Sequence, residues 1–434
     1  MDGHTQKSWQ GNFADYTSSE LDAHAGMTYT HNVSGMVLED PFDLNNLKFF
    51  HIEDAHKLHQ DLETLFRERG DGKKMVAFIG TGGTIAMTNI DGVLVPKLDT
   101  ETLMAELPSS RRIQFEAAAI QLPEMIDSSM MHPDVIADVV LLMTGVYNLM
   151  STGLQQAFAG YVITHGTDTM AEQAAMCRMM LGRRVPFSTC FVGAQKTIDD
   201  IINDVSANLI GALSSLALAH DGGVSGQFVY MNGSSGSAMN PVGVVKISDS
   251  SVEAFGSPLH ESSINAMDFA AEGIKNSMNY SDGVEARYNL EPIFRPIIIR
   301  KDVGVEKFVA SPGRHPERDY QMAASFDPGT TDAIMMVTYG GFTYHPKNFA
   351  AVMRAADEKN IPVFVTNPFP AGSTDHEYGP AKFIRDNTNA IPVNILPSAL
   401  VAKIHVAQAM FGHHNTEQIK DFVLNSNYVG EQPS

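Results

Sequence analysis

The stretch Val162-Ile-Thr-His-Gly-Thr-Asp-Thr-Met-Ala-Glu172 decides the reading of this chain. An apolar run, Gly160-Tyr-Val-Ile163, stops abruptly at Thr164. A helical pattern, Met170-Ala-Glu-Gln-Ala-Ala-Met-Cys-Arg-Met-Met180, follows at once. Three threonines and Asp168 are thereby crowded at the carboxyl end of a buried strand. In open α/β sheets ligands bind at that end. A second turn of the same kind lies upstream, Val76-Ala-Phe-Ile-Gly-Thr-Gly-Gly-Thr84-Ile-Ala86. Two hydroxyl-rich strand-to-loop turns in one domain predict a single site with parts from both.

The rest of the composition fits a globular enzyme. The chain has 434 residues, enough for two or three domains with real cores. At 44% apolar and 18% charged residues it is too apolar for disorder. A net charge of −20 argues against a nucleic-acid-binding surface, which needs clustered Lys and Arg. The two cysteines, Cys177 and Cys190, form no CxxC pair, so no zinc site or disulfide framework is expected. They read as buried apolar residues in a reducing compartment. The first residues, Met-Asp-Gly-His-Thr-Gln-Lys-Ser-Trp9, carry no apolar signal-peptide core, and no run reaches the length of a membrane span. A soluble, cytoplasmic protein is expected.

Residues 1–70 read as an N-terminal extension, closed by a helix from Ile52 to Arg69 with Leu58, Leu62 and Leu65-Phe66 on one face. Residues 71–260 read as the larger α/β domain. Its strands are predicted at 75–80, 113–121, 160–164, 187–192 and 226–231, and its helices at 100–107, 133–151, 169–182 and 200–219. Such alternation implies a mainly parallel sheet covered on both faces. Residues 261–295 read as a linker and 296–434 as a smaller C-terminal α/β domain. The latter has strands near 304–310, 333–338 and 362–366 and helices over 345–358, 397–411 and 415–424.

Taken alone, Gly82-Gly83-Thr84 reads as a glycine turn with an N-capping threonine, and Thr167-Asp168-Thr169 as the cap of the next helix. A hydroxyl beside a carboxylate at a helix N-terminus is also where an attacking water or a developing oxyanion can be held. His165 reads as a hydrogen-bonded core residue.

Gly80-Thr-Gly-Gly-Thr-Ile-Ala86 and Thr164-His-Gly-Thr-Asp-Thr-Met170 resemble the two signatures of the bacterial-type L-asparaginase/glutaminase family. Asp127-Ser-Ser129 resembles the family's substrate-gripping turn. Val192-Gly-Ala-Gln195 with Asp204 and Asn208-Leu209, and Val229-Tyr-Met-Asn232 with Lys246 and Ser257-Pro258, resemble the segments that follow it. The resemblance runs over roughly residues 74–425 and implies the family's two-domain fold. It implies Thr84 as the nucleophile that forms an acyl-enzyme, and Thr167, Asp168 and Lys246 as the catalytic group that helps to activate a nucleophile or water. Ser128 and Ser129 would bind the substrate's α-substituents, although the same turn also reads as a cap for the helix near His132-Pro133. Glu377 would reach the substrate from the C-terminal turn, where an exposed loop acid is the other reading. Lys196 is a rival to Lys246, and Arg314 falls in a loop that approaches a neighbouring subunit in the family.

One position departs from the pattern. Where the family places a loop tyrosine beside the nucleophile, this chain has Val93. Another residue then supplies the phenol, or the substrate is atypical, or turnover is slow or lost. The activity this resemblance implies is hydrolysis of the L-asparagine side-chain amide, or a related small amide, to the acid and ammonia, without metal or organic cofactor, by a homodimer or homotetramer without a nucleic-acid partner. The alternatives are an asparaginase-like component of a tRNA-dependent amidotransferase and a non-catalytic small-molecule binder. Against the first of these, residues 1–70 do not alternate like a small β-barrel.

Overall fold

The structure is a computed structural model. It describes residues 44–431 except 71, 84, 86, 91–92, 97–101, 103–113, 124–125, 199, 201–202, 232–237, 258–293, 295, 300–303, 369–378 and 413–414. Thr84, Glu377, most of the expected helix 100–107 and nearly all of the expected linker 261–295 therefore lie outside the described residues.

The larger sheet is built from β1 (Lys74–Gly80), β4 (Phe115–Gln121), β5 (Phe158–Thr164), β6 (Thr189–Val192), β7 (Gln227–Tyr230) and β8 (Ala238–Met239). Between β1 and β4, the strands β2 (Met87–Ile90) and β3 (Val93–Pro96) form a separate antiparallel hairpin. The spatial order of the large sheet is β4-β1-β5-β6-β7-β8, parallel throughout except for β8. All seven residues of β5 are buried. A strand covered on both faces needs this continuous apolar run, which is why the sequence is legible there. Leaving β1, the chain goes to β4 on one side, then crosses to β5 on the other. The switch point of the sheet thus falls between β1 and β5, and both hydroxyl-rich turns leave it there.

Helix α1 (Ile52–Glu68), α2 (Pro133–Leu149), the short α3 (Thr152–Ala157) and α4 (Met170–Leu181) contribute to the buried cluster on one face of this sheet. Helix α5 (Val205–Asp221) covers the other. In α1, Ala55, Leu58 and Leu62 recur at helical spacing and are buried, so the end of the N-terminal segment is part of the main core. Asp138 interrupts the apolar run of α2 and is itself fully buried. Its Oδ2 accepts the backbone amides of Lys48, Phe49 and Phe50, which pins the chain before α1 to α2. Helix α5 begins at Val205 and not at 200. The Asp200 carboxylate accepts Thr197 N at 3.0 Å and that of Asp204 accepts the amides of Gln195 and Lys196, so those residues are spent on turns.

The smaller sheet, β11 (Gly304–Val309), β12 (Thr331–Val337), β13 (Val363–Thr366) and β14 (Ile391–Pro392), is parallel in that order. An antiparallel pair, β9 (Val245–Lys246) and β10 (Phe255–Gly256), precedes it. Helices α6 (Pro316–Ala324), α7 (Pro346–Glu358), α8 (Gly379–Asn387), α9 (Pro397–Phe411) and α10 (Thr416–Asn425) complete the chain. Helix α6 is not expected from the sequence, because only Asp319 and Ala323 of its nine residues are buried and the apolar periodicity is too thin. The strands β8, β9, β10 and β14, of two residues each, escape pattern reading for the same reason. Helix α9 belongs to the cluster that holds α4 and residues of β12, so one buried core joins the two sheets.

Candidate active site

The two signature turns meet through their glycines. Gly80 of β1 lies in register with Thr164 of β5. Beyond the strands, Thr81 N and its hydroxyl both donate to Thr164 O, at 3.0 and 2.8 Å. Gly82 and Gly83 have φ of +108° and +87°, a region that L side chains avoid. A Cβ on Gly83 would lie 2.2 Å from the Gly166 backbone, and one on Gly166 would lie 2.3 Å from Ser128 Oγ. Three segments of the expected site, 80–83, 126–129 and 164–169, can approach this closely only because those contact points lack side chains. Thr84 itself lies outside the described residues. Its neighbour Gly83 abuts Gly166, one position before Thr167.

The Thr167–Asp168 turn does not cap its helix in the way the composition predicts. Thr169 is the N-cap residue of α4, but its hydroxyl donates to Ser128 O at 2.8 Å and makes no capping bond. Asp168 is half-exposed and turns to Lys246, whose Nζ donates to Asp168 Oδ1 at 2.6 Å and to Thr167 Oγ1 at 3.3 Å. Lys246 is 17% exposed and sits on β9, held by buried Val244, Ala254 and Phe255. The rival Lys196 is exposed, and its described bond is a backbone one to Asp204. Of the expected catalytic residues, the fold brings together Thr167, Asp168 and Lys246.

A third oxygen at Lys246 is not anticipated from the sequence. Asp249 Oδ1 lies 2.7 Å from Nζ. The signal for it is a lysine followed three residues later by a carboxylate across a serine-rich turn. Burial pulls the Lys246 pKa down, but the hydrogen bonds and charges of Asp168 and Asp249 outweigh it, and the net direction is up. Lys246 is thus an ammonium at neutral pH. It donates to Thr167 Oγ1, so the Thr167 hydroxyl hydrogen is left to point elsewhere.

Ser128 is buried and Ser129 exposed. Ser129 donates its amide and hydroxyl to Asp127 Oδ1, at 2.8 and 2.7 Å, and these two bonds hold the Asp127 carboxyl below its ordinary pKa. The expected helix cap is supplied instead by His132, whose Nδ1 accepts Asp134 N at 3.2 Å. Arg314 pairs with the buried Asp319 of its own chain at 3.1 Å, and Asn348 Nδ2 also donates to that carboxylate. Val93 lies opposite Ile90 in the β2–β3 hairpin. The cysteines are unpaired and buried, and burial pushes both thiols up.

His165 is fully buried, with Nδ1–H donating to Gly166 O at 2.7 Å and its ring tilted against Phe191. Burial lowers its pKa from 6.5 to about 4. Between those values the unfolded chain binds a proton that the folded chain refuses, so stability falls as pH drops from about 6.5 to about 4. The loss from this residue alone is expected to reach roughly 3 kcal/mol. Urea titrations at pH 7 and pH 4.5 should show it, and His165→Asn, which keeps a donor but does not titrate, should flatten that difference.

A mainly parallel two-sheet α/β architecture, with a Thr–Asp–Lys constellation at the switch point of its larger sheet, defines a site suited to acyl-transfer chemistry. Residues 75–275 match the family model described as Asparaginase, N-terminal. These residues, just under half of the chain, form an asparaginase-family N-terminal domain. Among curated relatives, a glutamyl-tRNA(Gln) amidotransferase subunit from Methanosarcina acetivorans is 26% identical over 312 residues, 68% of this chain and 65% of that protein. The protein of the same name from Methanococcus maripaludis strain C5 is 23% identical over 397 residues, covering 88% and 86%. The match therefore spans just under two thirds of the first of these. Among solved structures, the L-asparaginase from Thermococcus kodakarensis (TM-score 0.59, 20% identity) and L-asparaginase I from Vibrio cholerae (TM-score 0.60, 22% identity) share the fold. Each covers 83% of this chain and 99% of its own.

These relatives correct one expectation. A homo-oligomer with no nucleic-acid partner does not stand, because the curated relatives are by name subunits of an amidotransferase for a tRNA. The net charge of −20 speaks only to this chain's own surface. In an assembly, another protein chain can carry the basic groups that meet phosphate.

No group of three or more His, Cys, Asp or Glu that could hold a metal occurs among the described residues, and no described helix is long and apolar enough to cross a membrane.

Proposed function

We propose that this chain is the ammonia-releasing, asparaginase-like component of a tRNA-dependent amidotransferase. In this reading it hydrolyses the side-chain amide of a small amino acid, L-asparagine or L-glutamine, and a partner protein uses the ammonia. The observation that carries the amide chemistry is the meeting of Lys246 with Thr167 and Asp168 beside the glycine turn that leads to Thr84. The names of the relatives, two of which are covered to 86% and 83% of their length, favour the coupled setting.

The Thr84 oxygen adds to the amide carbon and its proton passes to the site. Collapse of the oxyanion breaks the C–N bond, and ammonia leaves with that proton. Water then adds to the threonyl ester, breaks the C–O bond, and returns the free acid and the Thr84 hydroxyl. Lys246 holds positive charge at the site and orients Thr167, whose hydroxyl hydrogen is free to meet the nucleophile or the water. Asp168 is exposed enough to pair a substrate amine. Ser128 and Ser129 flank the same space, and Glu377 completes the substrate group in this proposal. The cytoplasm is the compartment in which we place this activity.

A free-standing asparaginase is the second reading, favoured by the 99% coverage of the solved L-asparaginases. Ammonia release should be measured over L-Asn, D-Asn, L-Gln and N-substituted amides, with Thr84→Ala as control, together with a pulldown of the full chain. Release abolished by Thr84→Ala, with a second protein chain and tRNA recovered, is the expected result. Full release with neither recovered moves the assignment to the free-standing enzyme. No release from any amide leaves only a binder.

A further inference from the structure

We propose that Asp249 is a positioning residue of this site, holding the Lys246 ammonium between two carboxylates so that its remaining donor faces Thr167; the inference rests on the amidohydrolase reading given above. An ammonium has three donors. Here three oxygens answer them: Asp168 Oδ1 at 2.6 Å, Asp249 Oδ1 at 2.7 Å and Thr167 Oγ1 at 3.3 Å.

The Asp249 carboxylate is 89% exposed, yet its backbone is held on both sides. Ile247 N donates to Ala254 O at 2.7 Å, where the chain turns back on itself. Ser248 Oγ accepts the amides of Ser250 and Ser251, and Ser251 Oγ accepts that of Glu253. Buried Ala254 and Phe255 anchor the returning strand. The ammonium carried by β9 meets carboxylates from two elements, Asp249 of this turn and Asp168 of the Thr167–Asp168 turn. Two anions at hydrogen-bonding distance restrain it more than one does. With Asp168 alone, the charge is drawn toward that carboxylate. Among the described residues, Asp168 and Asp249 are the titratable groups that act on Lys246, and both hold its charge against burial.

The test uses the full chain and its Asp249→Asn, Asp249→Glu and Lys246→Met variants. One readout is kcat and KM for ammonia release. The other is acetylation of Lys246 by acetic anhydride at pH 9, read by peptide mass spectrometry, which reports the free-amine fraction without any turnover. Removing an exposed partner charge is expected to raise Lys246 acetylation about two- to fivefold in Asp249→Asn. The same variant is expected to lower kcat about two- to fivefold with KM little changed, and Asp249→Glu to restore both readouts. Wild-type kcat and wild-type acetylation in Asp249→Asn, while Lys246→Met abolishes ammonia release, would overturn the role of Asp249 and leave the site reading intact. Increased acetylation in a protein that releases no ammonia would uphold the hold of Asp249 on Lys246 and remove the amidohydrolase reading instead.

Discussion

Replacing Lys246 with methionine should lower kcat for ammonia release by about 100- to 10,000-fold while leaving the fold intact. Methionine matches the lysine stem in length and apolar character, so the packing of β9 against Val244 and Phe255 is kept. What is lost is the charge and the donors that Thr167 and Asp168 receive at 3.3 and 2.6 Å. Thr167 Oγ1 then has no cation to orient it, and Asp168 carries its negative charge beside the reacting amide with no counter-charge. Both effects oppose an oxyanion. Because Lys246 is held in its charged form, the expected loss is of electrostatic orientation and not of a neutral base. Activity should accordingly persist through neutral pH and fall only when Lys246 deprotonates, above its ordinary range. Steady-state kinetics with circular dichroism on the same sample would check this. A Lys246→Met enzyme with kcat within threefold of wild type would remove Lys246 from the machinery.

The second large effect concerns stability and lies far from the site. Lys403 and Glu431 form an ion pair at 2.6 Å in which both side chains are fully buried. Lys403 Nζ also donates to Val423 O at 2.9 Å, and Glu431 accepts the amides of Tyr428 and Val429 at 3.0 and 2.8 Å. Arg183 adds bonds to the carbonyls of Asn427 and Tyr428. The clamp ties the chain after α10 onto α9, the helix whose residues help to join the two sheets. For Glu431, burial opposes ionisation, but Lys403 and the amide donors prevail and its pKa is lowered. Lys403→Met leaves that carboxylate buried without a counter-charge, and the expected cost is about 3–5 kcal/mol. The double variant Lys403→Met, Glu431→Gln should recover much of the loss, since the unpaired charge is then gone. Denaturant unfolding of the two variants separates these cases. Equal stability of the single and double variants would show that packing, and not the charge, sets the cost.

Much of this protein is legible in its residues alone. The apolar runs of β1, β5, α2, α4 and α9, which are buried nearly throughout, and the helical spacing in α1 are local features of the sequence. The glycines of the two signatures are legible too, as positions that need φ above zero or a close backbone approach. Elements with little buried surface are not legible: the two-residue strands, α6, and the shift of the α5 start from 200 to 205. Their course is set by hydrogen bonds to Asp200 and Asp204 or by neighbouring elements, and carries no period of its own.

The sequence by itself determined the kind of chemistry available, because hydroxyls, a carboxylate and glycines at two strand ends are local features, and their likeness to a family could be seen in the residues. Only the tertiary structure decided which lysine serves them. Lys196 is nearer in sequence to Thr167 and Asp168, but it is itself exposed, whereas β9 carries Lys246 across 78 residues to Asp168. The turn after β9 also brings Asp249 within 2.7 Å of that ammonium. Folding likewise drew the Ser128 turn onto Gly166, an approach that depends on the missing Cβ and on packing between segments far apart in the chain.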